Sequence, residues 1–318
     1  MSKPVILDVD TGVDDSIAIL LALMLPQLAV KAITTVSGNV HVHEVMESTK
    51  TVSGLTEYTD IRFGKGSSVS LRRTRFHAPE VHGSDGLGNA RKKYERYKAR
   101  GRTERAVPLM IDIIKKSKKP VTIIATGPLT NIARAIQKDK RTMRRVKEIV
   151  SMGGSFGYRG NTGPLAEFNY YVDPHAVDVV ARSGIHFTVV PLNVTETVPL
   201  HRETVIKWRD ENNNLVSRFI ADVTRFYMNY HKKVESFNGG FMHDPLTVAI
   251  AADPSIVKKR QKWPLLIETQ GLYTVGTTLN RDAGGREKDA PIVSIITDID
   301  RRRFWKIFRD TLYKSSYV

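Results

Sequence analysis

The chain has 318 residues, 41% hydrophobic and 26% charged, with a formal net charge of +16 and no cysteine. That composition fits an ordinary globular protein and excludes disulfides, thiolate metal sites and a catalytic thiol, so a metal would have to be held by oxygen or imidazole. The longest apolar stretch, Ile17 to Leu25, has nine residues, half of what a membrane span requires.

Met1-Ser-Lys-Pro runs straight into Val5-Ile6-Leu7, which is too short for a secretory apolar region. A chain without leader or anchor is expected, and the lack of cysteine fits a reducing cytoplasm. The lysines and arginines are scattered among Arg91–Arg105, Lys115–Lys119, Lys138–Lys147, Lys258–Lys262 and Arg301–Arg303. No aromatic-studded basic motif accompanies them, so they read as a solvated surface rather than a nucleic-acid site.

Val5–Leu7 reads as a first strand, and Asp15–Leu25 as a helix stopped by Pro26. Val30–Val36 is a second strand, and 41–58 a helix with Val42, Val45, Met46, Val52 and Leu55 on its apolar face. Val107–Lys116 is helical, Val121–Ala125 a buried β-branched strand, Leu129–Gln137 a helix and Glu148–Met152 a strand. Pro174–Ser183, with proline in its first turn, leads to the strand His186–Val190. This alternation predicts an α/β fold, an open and mostly parallel sheet flanked by helices. No linker divides the chain, so residues 1–318 read as one domain. Three irregular stretches interrupt the rhythm: Gly64–Gly88, Gly153–Gly163 and the hinge-like Ser236–Gly240. Loops of this kind carry function.

Chemistry concentrates where the first strand ends, in Asp8-Val-Asp10-Thr-Gly12-Val-Asp14-Asp15. Ligands of open parallel sheets bind at the carboxyl ends of strands. One acidic residue there could be a helix cap, but four carboxylates within eight residues repel unless a cation sits among them. Oxygen ligands point to calcium or magnesium. The segment leaves the reaction open, because Asp-x-Asp-Thr after a first strand also marks haloacid-dehalogenase-like phosphatases, in which Asp8 would be the nucleophile. Those proteins continue Asp-x-Asp-Gly-Thr, whereas here the order is Asp10-Thr11-Gly12.

The segment closely resembles the signature Asp-x-Asp-x-Gly-x-Asp-Asp of the inosine–uridine-preferring nucleoside hydrolases. Further matches follow in order: Ser37-Gly38-Asn39, Val81-His82-Gly83, Ala125 to Asn131, Met152-Gly153-Gly154, Ala166-Glu167-Phe168-Asn169, Asp173-Pro174 and Met242-His243-Asp244-Pro245. The resemblance implies a hydrolase that splits ribonucleosides into ribose and free base. It implies calcium held by Asp10, Asp15, the main-chain carbonyl of Thr126 and Asp244, with Asp10 as the base that deprotonates water. Asp14 and Asn169 would hold the 2′ and 3′ hydroxyls, with Asn39 nearby; Glu167 and Asn161 would meet the 5′ end, and Met152 the sugar. Asp8 would support the others from behind. His243 matches the general acid of the histidine-containing group, which favours inosine–uridine or pyrimidine substrates, and His82 a second leaving-group residue. Phe168, Tyr227, Tyr230 and His231 are candidates for the base pocket, although Phe226 and Tyr230 could equally be core. His41 and His43 read as structural, His77 and His201 as solvated. Relatives of this kind are homo-oligomers, dimers or tetramers. A non-enzymatic alternative is a basic nucleic-acid-binding protein with structural calcium.

Overall fold

In the computed structural model, the described residues are 2–56, 61–74, 76–280 and 289–314. The thirteen strands among them are β1 Lys3–Val9, β2 Leu28–Thr35, β3 Arg62–Lys65, β4 Thr103–Arg105, β5 Thr122–Ala125, β6 Glu148–Met152 and β7 Phe187–Val190. They continue with β8 Pro199–His201, β9 Gly239–Phe241, β10 Val257–Pro264, β11 Leu266–Ile267, β12 Thr278–Leu279 and β13 Ile292–Ile299. Nine form one sheet in the order β10-β13-β7-β6-β5-β1-β2-β3-β4. Every pairing in it is parallel except β10 with β13. The expected open, mostly parallel sheet is thus present.

Strand alternation explains the two layers. Val5, Leu7 and Val9 of β1 enter one apolar cluster while Ile6 enters the other, and β5 divides Ile124 from Ile123 and Ala125 in the same way. Helices Val13–Met24, Leu215–Glu235, His243–Ala252 and Arg301–Leu312 cover the first face. Helices Ala106–Lys116, Thr130–Lys138 and Pro174–Ala181 cover the second. The helix Val13–Met24 is buried all round, as a helix apolar on every side must be.

Strand order positions the site. From β1 the chain builds outward through β2, β3 and β4, then crosses to β5 on the other flank of β1 and builds the opposite way. The crevice at the carboxyl ends of β1 and β5 is therefore the topological switch point, where open α/β sheets bind ligands.

Several sequence expectations shift. The helix expected over 41–58 spans Val42–Ser53 and ends at Gly54; residues 57–58 lie outside the described residues. Gly64–Gly88 starts inside β3 and contains a helical turn, Pro79–His82. The hinge-like segment ends in β9, which pairs with β8, and its turn comes from Ser236 at φ +56°. His77 is not a solvated residue: it is half-buried and its Nδ1 lies 2.8 Å from the Gly38 carbonyl oxygen. The strands β10 and β13 were not among the expected elements, and Lys258-Lys-Arg-Gln-Lys262 of β10 reads only as solvated surface charge. It is an exposed edge strand, and lysines along an edge deter pairing with another sheet.

Candidate active site

Two helices begin at the switch point, Val13–Met24 and His243–Ala252, and they pack against each other. Asp14 and Asp15 lie in the first turn of one and Asp244 in that of the other. Both helix dipoles thus point their positive ends at the carboxylates. Ligand atoms of Asp14, Asp15 and Asp244 lie within 4.8 Å of one another, all buried.

Asp10 stands beside this trio at the end of β1. Its Oδ2 accepts the Asn39 backbone N–H at 2.8 Å, whereas its Oδ1 is buried without a partner. Asp15 accepts from Gly12 N at 2.8 Å, Thr126 Oγ1 at 2.7 Å and Asn39 Nδ2 at 3.2 Å. Two glycines make this convergence possible. A Cβ on Gly38 would stand 2.0 Å from Asp10 Oδ2, and one on Gly12 2.5 Å from Asn39 Nδ2 and 2.6 Å from His82 Nδ1.

Burial pushes Asp10 and Asp244 well above the usual carboxylate range, with neighbouring carboxylates adding to the shift. Asp14 is pushed up to about 7 by burial and then by Asp15, and burial raises Asp15 as well. Groups that resist ionising together accept a cation that neutralises them. The orphaned Asp10 Oδ1, the tight trio and the all-oxygen donor set fit a hard divalent ion.

Above the carboxylates opens a cavity of about 310 Å³, the scale of a small-molecule site. Asp14, Asn39, His82, Thr126, Met152, Asn161, Glu167, Phe168, Asn169, Tyr227, Tyr230, His231, His243 and Asp244 all line it. Asp10 and Asp15, fully buried, lie outside the lining and form the floor.

At one end, Asn169 Nδ2 donates to the Thr126 carbonyl at 2.7 Å. Glu167 takes N–H groups from Asn169 at 2.8 Å, Gly154 at 3.0 Å and Tyr170 at 3.1 Å, while burial raises it to about 7. Asn161 Oδ1 accepts the Phe168 N–H at 2.9 Å. At the other end, Nδ1 of His243 sits 2.7 Å from Thr195 Oγ1, and the His82 ring stacks on Tyr227. Burial, followed by the neighbouring His231, lowers both His82 and His243 to about 3, so both rings are neutral near pH 7. His231 touches Tyr227, Tyr230 and Phe241 edge-on, with Nδ1 3.1 Å from Glu235 Oε2.

Sequence reasoning missed Phe76, Glu80, Glu196, Glu235 and Phe241, which also line the cavity. None belongs to a motif; only an apolar or acidic residue close to a matched segment could have pointed to them. Asp8 is off the cavity and fully buried, with Oδ1 accepting from Thr34 Oγ1 at 2.6 Å and Asn131 Nδ2 at 2.8 Å. A nucleophile must reach its substrate, so the reading of Asp8 as a phosphatase nucleophile is set aside.

Fold and site define an α/β enzyme whose small-molecule cavity stands on a cage of carboxylates. The sequence profile described as "Inosine-uridine preferring nucleoside hydrolase" matches residues 5–306. The chain is 36% identical to the pyrimidine-specific ribonucleoside hydrolase RihA of Enterobacter sp. (strain 638) over 317 residues, 99% of each chain. It is 36% identical to the RihA of Escherichia coli O1:K1 / APEC over 313 residues, 98% of this chain and 99% of that one. Among solved structures, the plant nucleoside hydrolase PpNRh1 superposes with a TM-score of 0.90 at 30% identity, covering 99% of this chain and 100% of its own. The purine-preferring ribonucleoside hydrolase from Gardnerella vaginalis superposes at 0.87, also at 30% identity, covering 98% of both. The chain belongs to the inosine–uridine-preferring nucleoside hydrolase family. It is a nucleosidase, an enzyme that hydrolyses the N-glycosidic bond of ribonucleosides. Among the described residues no helix is long and apolar enough to cross a membrane.

Proposed function

We propose that this nucleosidase acts on pyrimidine ribonucleosides with calcium held by Asp10, Asp15, the Thr126 carbonyl and Asp244. The observation that carries the reading is the partnerless Asp10 Oδ1, buried beside the trio and under a cavity lined by His82 and His243. The pyrimidine preference rests on the RihA relatives, whose names state it. Calcium, when bound, supplies a hard Lewis acid that grips the sugar's diol and orients water.

The chain's own residues do the rest. Asp14 and Asn169 hold the ribose diol, and Asn39 fixes Asp10 and Asp15 around it. Glu167 and Asn161 hold the 5′ end, with Met152 against the sugar. The C1′–N bond breaks and its electron pair departs with the base, leaving positive character on the ribose that the surrounding carboxylates stabilise. Asp10 takes a proton from the water whose oxygen bonds to C1′. His243, whose resting ring is neutral, first takes a proton from solvent and then gives it to the base nitrogen, returning to the neutral ring. Thr195 orients the ring and His82 lies beside it. Phe168, Tyr227, Tyr230 and His231 enclose the base.

The test is release of reducing sugar from uridine, cytidine and inosine, with and without chelator. Turnover of the pyrimidine ribosides that disappears with chelator and returns with calcium is expected. Absence of sugar from all three with metal present overturns the reading; faster turnover of inosine overturns the pyrimidine preference. We further propose that residues 1–318 act as one domain in the cytoplasm, as a dimer or tetramer; sedimentation of the pure protein tests the assembly.

A further inference from the structure

Outside the ribose cavity, a groove of about 860 Å³ runs between the ends of β3 and β4 and the helix Thr130–Lys138. Lys65, Arg105, Arg134 and Lys138 line it. Lys65 and Arg105 are register partners on adjacent parallel strands, so two like charges end side by side. Arg134 and Lys138 are one turn apart on one helix face, a second like-charge pair. Each pairing is unfavourable alone, and none of the four cations has an ion-pair partner among the described residues. The acid in the wall, Glu104, is engaged by Nε and Nη2 of Arg62 at 3.0 and 3.1 Å. Arg134 Nε is buried with no hydrogen-bond partner.

We propose that this groove binds an oligophosphate chain, either free pyrophosphate or the phosphate tail of a nucleotide. A multiply charged anion would neutralise both like-charge pairs at once. Any binding of such a ligand to the metal in the ribose cavity is common to the wild type and the variant below. Asn131 lies in the same groove. Its Oδ1 accepts the Ser67 N–H at 2.9 Å while its Nδ2 donates to Asp8, so the occupied groove touches the strand that carries the cage.

The experiment is calorimetric titration of the metal-loaded full chain with pyrophosphate, ADP and sulfate at one ionic strength near 0.15 M. The double variant Arg134→Gln/Lys138→Gln is titrated alongside. One-to-one binding of pyrophosphate or ADP, at least about ten-fold weaker in the variant with nucleoside turnover unchanged, is expected. The tighter of the two ligands identifies the source. Metal stripping by pyrophosphate would affect both proteins alike and so cannot mimic the difference. No saturable binding, equal binding by the variant, or sulfate binding as well as pyrophosphate overturns the proposal. Should the variant fail to fold, phenylglyoxal labelling of the wild type decides: pyrophosphate shields Arg105 and Arg134, or the proposal falls.

Discussion

The backbone N–H of Val13 donates to Nδ1 of His82 at 3.1 Å, across 69 residues of sequence. A nitrogen that accepts cannot carry hydrogen, so the neutral ring holds its proton on Nε2. The Nε2–H can then hydrogen-bond the departing base, so His82→Ala should lower kcat for nucleosides by about 100- to 1000-fold, the scale of one lost donor to a developing anion. An aryl riboside whose leaving group needs no proton should be hydrolysed at nearly the wild-type rate. Equal losses on both substrates would deny His82 any part in leaving-group departure.

His243 is oriented through Thr195 Oγ1. Thr195→Val keeps the shape but removes the hydroxyl, so kcat for nucleosides should fall about ten-fold, as for lost partners of oriented imidazoles. KM should barely move. A change confined to KM would make the contact one of binding rather than of proton delivery.

Removing the metal should lower Tm, and calcium at about a hundred times its Kd should return about 2.7 kcal/mol. Asp244→Asn should reverse part of this order. With one of the mutually repelling carboxylates gone, the metal-free protein should melt higher than the metal-free wild type, while its gain from calcium shrinks. A metal-free variant that melts lower would show that Asp244 stabilises the fold without an ion.

Gly38→Ala places a methyl against Asp10 Oδ2. Asp10 must move, so kcat should fall about 100-fold, the cost of a misplaced reacting group. Stability should drop by about 1–3 kcal/mol, as for overpacked cores. A steady-state assay with calcium titration checks the first and a denaturant melt the second, and wild-type kcat would mean that the position of Asp10 is not critical.

Asp8 holds its proton up to about 7 because it is buried, although Thr34 and Asn131 oppose the shift. An exposed aspartate titrates near 4, so between about 4 and 7 the native state binds more protons than the unfolded chain. Through this group, then, stability falls as pH rises across that window. Asp8→Asn removes the effect: relative to wild type, the variant should gain stability from pH 4.5 to 7 in denaturant melts of metal-free protein. A difference that stays constant with pH would show that Asp8 titrates normally.

The half of the site that lies on the first strand was legible because apolar Val5–Leu7 must be buried, and burial turns the acids behind it into an electrostatic problem only a cation solves. The distant half, from Thr126 to His243, was legible only through motif order. Local pattern carries no record of which strand ends meet at a switch point. Phe76, Glu80 and Phe241 reach the cavity from segments without periodicity, so nothing marked them. The strand β10 stayed hidden for the opposite reason: its pattern is real but polar on both sides, since an edge strand has little face to bury.

Asn39 holds Asp10 through its backbone and Asp15 through its side chain. One residue therefore ties two carboxylates together before any ion arrives, beside the Gly12 and Thr126 bonds that also hold Asp15. A jaw of fixed width ranks ions by radius as well as charge, which is how a rigid oxygen cage discriminates calcium from magnesium. With the calcium site proposed above, loosening the Asn39 clamp would blur the discrimination between calcium and magnesium before it cost the fold.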